Sequence, residues 1–258
     1  MFLPKLKHLT SQGFRKVPEI TIYFWIIKLL TTAMGESTSD YLVHTINPIV
    51  AVIFGAVGFA IALALQFYFR RYTAWIYWLA VTMVAIFGTM TADVVHIVLG
   101  IPYLISAIFF SVTLILIFSL WYKTERTLSI HSITTPRREI FYWAAVSATF
   151  ALGTAAGDTT AATFGWGYLL SGIIFGILFI TPLISRRIFK LNEVVAFWFA
   201  YIMTRPFGAS FSDWFGRTPD LGGIGFGTGR VSLILTALII IFVGYLAATR
   251  LDVKTDRL

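Results

Sequence analysis

Four times along the chain an aromatic–Trp pair is followed by a glycine ten residues after the Trp and an aspartate five residues beyond that. The sets are Phe24-Trp25 with Gly35 and Asp40, and Tyr77-Trp78 with Gly88 and Asp93. They continue with Tyr142-Trp143, Gly153 and Asp158, and then Phe197-Trp198, Gly208 and Asp213. The register W-x9-G-x4-D is kept without a gap each time. One such match means little, but four in one register require four copies of one structural unit. The copies are spaced 53, 65 and 55 residues apart, and the extra length falls between Lys123 and Pro136.

Between the motifs the chain is almost wholly apolar. Hydrophobic residues make up 58% and charged residues 12%, against about 25% charged in an ordinary soluble domain. A soluble fold could not hide that much apolar surface. Eight stretches reach the ~20 residues a helix needs to cross a bilayer core. They lie at roughly 19–41, 48–69, 74–98, 101–122, 139–161, 166–186, 193–214 and 230–249. The runs are continuous rather than alternating, so helices are expected instead of a barrel. Pro18 and Pro136 stand at expected helix starts. Glu19, Glu139 and Glu193 are expected in first turns, where a carboxylate suits the helix dipole.

The basic residues alternate by side. Sixteen of the 20 Lys and Arg fall on one side: Lys5, Lys7, Arg15, Lys16, Arg70, Arg71, Lys123, Arg126, Arg137, Arg138, Arg186, Arg187, Lys190, Arg250, Lys254 and Arg257. Arg217 and Arg230 fall on the other, and Lys28 and Arg205 lie within spans. The positive-inside rule places both termini in the cytoplasm. This bias also accounts for the net charge of +8, with no nucleic-acid partner implied. The absence of cysteine excludes disulfides, thiolate metal sites and iron–sulfur clusters.

The expected fold is therefore an all-α polytopic membrane protein: about eight transmembrane helices as four tandem two-helix repeats, in parallel pseudo-symmetry about an axis along the membrane normal. The units are a basic tail (1–18), repeats at 19–74, 75–135, 136–192 and 193–250, and a short tail (251–258). The four Trp–Gly–Asp sets resemble a bacterial family of four-repeat integral membrane proteins of unknown function, often labelled membrane-anchored protein, with two spans and a characteristic Trp per repeat. The resemblance covers residues 18 to 250. It implies eight spans in the inner (cytoplasmic) membrane and supplies no activity.

On a helix, residues fifteen apart share a face, so each Trp and its Asp point the same way. Each glycine leaves room for a neighbouring backbone. Four aspartates at one depth are expected to converge, with Glu36 as a fifth acid. Hydroxyls stand close by at Ser37, Thr38, Ser39, Thr89, Thr91, Thr154, Ser210 and Ser212. Carboxylates with hydroxyls suit a bound hard cation or a proton. His44 and His96 fall on the Asp face and are weaker candidate ligands. Lys28 and Arg205 occur in single repeats and are expected to be counter-charges. Each needs an acid partner, Asp213 or an acid of a neighbouring repeat. In the even spans, Gly172 with Gly176, and Gly55, Gly58 and Ala62, mark small faces for scaffold or oligomer contacts. The glycine-rich run 222–227 suggests a flexible outer lid.

No nucleophile–base pair stands out, so an enzyme is not expected. The leading expectation is a small-cation (divalent metal or proton-coupled) transporter. The alternative is a non-transporting scaffold in which the motif packs helices, and a membrane redox enzyme ranks third. Expected partners are the lipid bilayer, a small cation or proton, and a second copy of the chain.

Overall fold

The computed structural model describes residues 15–253, and Lys5, Lys7, Lys254 and Arg257 lie outside that range. Within the described residues there are eight long helices and no strand. They are α1 (Ile22–Thr45), α2 (Pro48–Tyr68), α3 (Ala74–Asp93), α4 (Tyr103–Glu125), α5 (Pro136–Asp158), α6 (Gly167–Phe189), α7 (Glu193–Gly216) and α8 (Thr228–Thr249). Local chemistry sets their starts. Asn47 accepts from the amides of Ile49 and Val50, and Asn192 from those of Val194 and Val195. Thr21 and Thr135 cap α1 and α5, and Pro48 and Pro136 open their helices without wasting a donor. Three even helices end on a basic residue in the left-handed region: Arg126, Lys190 and Arg250. Glu19 lies ahead of α1 rather than in its first turn, because Thr21 takes the capping position. There Glu19 pairs with Arg15 and stands 3.6 Å from His131.

The odd helices form a closed ring, in which α1 packs on α3, α3 on α5, α5 on α7, and α7 on α1. The even helices lie outside, each chiefly against the next odd helix: α2 on α3, α4 on α5, α6 on α7 and α8 on α1. Gly172 and Gly176 accept the rings of Phe211 and Phe207, and Gly55 and Gly58 accept Met90 and Met83. These small faces are thus filled from inside the chain, whereas an oligomer contact would need them free.

Among the described residues, six helices are long and apolar enough to cross a membrane: α2, α3, α4, α5, α6 and α8. The apolar stretches expected around residues 19–41 and 193–214 form α1 and α7, but these carry Lys28, Glu36 and Asp40, and Glu193, Arg205 and Asp213. The outer helices turn large apolar side chains outward, among them Phe54, Ile61, Phe109, Ile115, Ile177 and Ile241. Buried polar residues concentrate on the inner ring. This apolar shell over a polar interior is compatible with lipid contact.

Two layers of the ring repeat four times. Each residue before a motif Trp meets the Trp of the next repeat: Phe24–Trp78 at 5.6 Å, Tyr77–Trp143 at 5.7 Å, Tyr142–Trp198 at 6.2 Å and Phe197–Trp25 at 5.7 Å. Each motif glycine faces the residue three before the next motif glycine. Gly35 meets Ala85, Gly88 meets Phe150, Gly153 meets Arg205, and Gly208 closes the circle on Thr32.

Candidate functional site

The glycine layer brings Arg205 to the centre of the ring. Its guanidinium is fully buried. Nη1 donates to the Thr32 carbonyl at 2.7 Å. Nη2 donates to Glu36 Oε2 at 2.6 Å, to Thr154 Oγ1 at 2.8 Å and to Thr89 Oγ1. One side chain of α7 therefore bonds to the other three inner helices. Glu36, Thr89 and Thr154 are equivalent, each directly following a motif glycine. Repeat 4 has Ala209 there and supplies Arg205 one turn earlier. The acid partner of Arg205 is Glu36 of repeat 1, not Asp213 of its own helix.

Glu36, Asp40 and Asp213 offer carboxylate oxygens within 4.8 Å of one another, and all three are buried. Arg217 closes this cluster, with Nη2 3.0 Å from Asp40 Oδ2 and Nε 3.1 Å from Asp213 Oδ1. Burial works against its charge, but Asp213 and Asp40 more than offset that, so its pKa lies above the ordinary arginine value. Ser37 and Ser212 meet at 2.5 Å beside the acids. By sequence position alone Arg217 reads as an outer-loop charge. Its spacing of four from Asp213 was the available signal.

The other two aspartates lie outside this 4.8 Å group but near enough to feel the charges of Glu36 and Asp40. Asp93 and Asp158 are half-buried, and each directly precedes a π-helical turn, Val94–Val98 or Thr159–Thr163. In α1 and α7 the α-helix runs on past the aspartate. The five acids thus divide into three whose oxygens lie within 4.8 Å of one another and two that flank them.

Lys28 finds no acid. Its Nζ lies 3.8 Å from the Phe150 ring centroid and 4.1 Å from that of Tyr201. It has no hydrogen-bond partner among the described residues. Two ring faces partly replace its hydration. The histidines are also elsewhere. The His44 ring lies 2.7 Å from the Asp40 carbonyl. That of His96 stacks on Tyr103 and lies 2.8 Å from the Ile101 carbonyl. Neither joins the carboxylate group.

Below Lys28 the aromatic layer fills the ring. Trp78, Trp143 and Trp198 are buried, Trp25 is half-buried, and the hydroxyls of Tyr77 and Tyr142 meet at 2.5 Å. Above the acids, the segment 214–230 is a pinned hairpin rather than a loose lid. Ile224, Gly225, Phe226 and Gly227 donate to the carbonyls of Trp214, Arg217, Phe215 and Gly216.

The family model Repeat of Unknown Function (DUF347) matches four times, at residues 23–72, 76–127, 141–189 and 196–252. No curated protein and no solved structure matches the chain. With four consecutive copies along most of its length, the chain belongs to the DUF347 repeat family.

Proposed function

We propose that this protein is a small-cation carrier of the bacterial inner membrane, with a proton or one small cation held by Glu36, Asp40 and Asp213. In this reading all eight helices cross the bilayer, the four repeats are related by a pseudo-fourfold axis along the membrane normal, and both termini are cytoplasmic. The carrying observation is the group of three buried carboxylates within 4.8 Å, enclosed by helices with apolar outer faces. Ionisable groups are costly at membrane depth and mark ion pathways by default. Two guanidiniums face three carboxylates, which leaves one negative charge. Three acids this close cannot all stay ionised without further compensation, and one proton or one cation supplies it. Carboxylates and hydroxyls suit a hard ion. Arg205 and Arg217 are the counter-charges that hold the site when no ion is bound. Asp93 and Asp158, just ahead of the π turns, are acids for a later step of the passage.

The second reading is a non-transporting membrane scaffold. Its support is that Trp and Gly of the motif pack helices at every repeat, and that aromatic side chains fill the ring next to Lys28.

Flux in proteoliposomes separates the two. Mn²⁺, Mg²⁺, Ca²⁺, Na⁺ and K⁺ are supplied in turn, with an internal pH dye, to wild type and to a folded Asp40→Asn/Asp213→Asn variant. The carrier reading expects flux in wild type that the variant loses. No flux above empty liposomes with folded wild type selects the scaffold.

A further inference from the structure

A cavity of about 470 Å³ lies away from the carboxylate cluster, where the start of α3 meets the end of α8. Arg15, Arg71 and Arg250 line it, with Glu19, Tyr72, Thr73 and Asp252. Three of its charged groups are already engaged, since Arg15 pairs with Glu19 and the Tyr72 hydroxyl donates to Asp252. Arg71 and Arg250 are exposed and meet no carboxylate among the described residues. The lining therefore keeps a positive excess, three guanidiniums against two carboxylates.

The walls are preformed. The Tyr72 amide donates to the Arg15 carbonyl at 2.8 Å, and the Glu19 amide to the Asp252 carbonyl at 2.9 Å. Three separate segments are thus fixed around one space. The start of α3 faces it through Thr73, Ala74 and Trp75. Thr73 makes no side-chain capping bond, so the first amides of α3 keep free donors and the positive end of the helix dipole. The remaining wall is apolar: Trp75, Leu246, Ala247 and Val253. Trp75 and Val253 are nearly half exposed, and Trp75 lies over Gly244 of α8. A cationic pocket with an amphipathic aromatic rim beside an apolar wall suits a molecule with an anionic head and a hydrocarbon tail.

We propose that this cavity binds an anionic phospholipid. The phosphate sits between Arg71 and Arg250, near the first amides of α3, and the acyl chain runs along Trp75 and Ala247. Guanidinium forks bind phosphate oxygens in pairs, and the volume falls within the ~300–1,000 Å³ of small-molecule sites. The lipid would tie residues 15–19 and 246–253 to the start of α3. The inference depends on membrane placement and is independent of ion transport.

The test uses full-length protein in detergent micelles, titrated with phosphatidylglycerol, phosphatidylcholine or glycerol phosphate. Bound lipid is read by native mass spectrometry and by thermal midpoint. Phosphatidylglycerol should be retained and should raise the midpoint, with phosphatidylcholine much weaker. Arg71→Gln/Arg250→Gln should weaken phosphatidylglycerol binding at least tenfold, whereas Arg230→Gln should not. Equal binding of both lipids, or undiminished binding by the double variant, overturns the proposal. A shift with glycerol phosphate as large as with the lipid overturns the lipid in favour of a soluble phosphate compound. Should the double variant not fold, a photoactivatable phosphatidylglycerol is cross-linked to wild type. Labels within 71–75 and 244–253 support the site, and labels confined elsewhere overturn it.

Discussion

The Arg205 guanidinium and the Glu36 carboxylate meet at 2.6 Å with side chains 1% and 3% exposed, joining the fourth repeat to the first across the ring. Removing one partner from a buried pair leaves an uncompensated charge and costs roughly 3–5 kcal/mol. Arg205→Met should therefore lower the unfolding midpoint in detergent by far more than a surface substitution does. Glu36→Gln/Arg205→Met should recover much of that loss, because both charges are gone. A double variant less stable than Arg205→Met alone would refute the pairing as the source of the loss.

The glycine layer makes a sharper steric prediction. A Cβ at Gly35 would lie 2.5 Å from the Ala85 Cβ and 2.8 Å from the Ala85 carbonyl carbon. Backbone is not a flexible obstacle, so Gly35→Ala should cost about 1–3 kcal/mol by overpacking. Gly157 sits one turn beyond Gly153, and its nearest neighbour would be 3.7 Å away. Gly157→Ala should be neutral, or stabilising by up to ~1 kcal/mol through helix propensity. The two thermal midpoints should move apart, and a loss of similar size in both would sink the argument.

The same residues show how far the sequence could be read. Helix positions followed from apolar runs and caps, because a span must satisfy its own backbone bonds. The need for a small residue at Gly35, Gly88, Gly153 and Gly208 was also legible. The atoms that fill those gaps were not, since spacing along one helix says nothing about which helix stands beside it. That only Asp40 and Asp213 of the four join Glu36 within 4.8 Å, with Asp93 and Asp158 flanking them, was not legible, since spacing treats the repeats as equivalent to their ends. The π turns after Asp93 and Asp158 break that equivalence, and neither turn carries a sequence mark such as proline. Lys28 shows a related limit. A buried cation was expected to have a carboxylate, but two aromatic faces took its place.

At the opposite end of the ring, the Asp252 carboxyl accepts from Tyr72. Burial raises its pKa above the ordinary carboxylate value, and the tyrosine bond offsets this only in part. The folded state thus holds this proton more tightly than the unfolded chain does. Its contribution to stability is full below the unfolded value of ~3.9 and falls as pH rises from there through the folded value. Asp252→Asn keeps an acceptor for Tyr72 and has nothing to ionise. Relative to wild type, the variant's thermal midpoint should gain as pH climbs through that window and level off above it. A difference between the two proteins that is flat with pH would exclude the titration.

Arg217 gives the most direct test of the carboxylate cluster. It is 3.0 Å from Asp40 and 3.1 Å from Asp213, so a bound ion must share those oxygens with it or displace it. Arg217→Gln removes the competing charge and leaves the acids under-compensated. If the cluster takes a cation, the variant should bind it more tightly than wild type does. An ion at one hundred times its dissociation constant stabilises the folded state by about 2.7 kcal/mol. The variant should therefore show a cation-dependent rise in thermal midpoint, largest for the ion that wild type carries in liposomes. Asp40→Asn added to Arg217→Gln should abolish that rise. If Arg217→Gln is equally destabilised in every salt, Arg217 is only a clamp between α1 and α7, and the acids are its anchors.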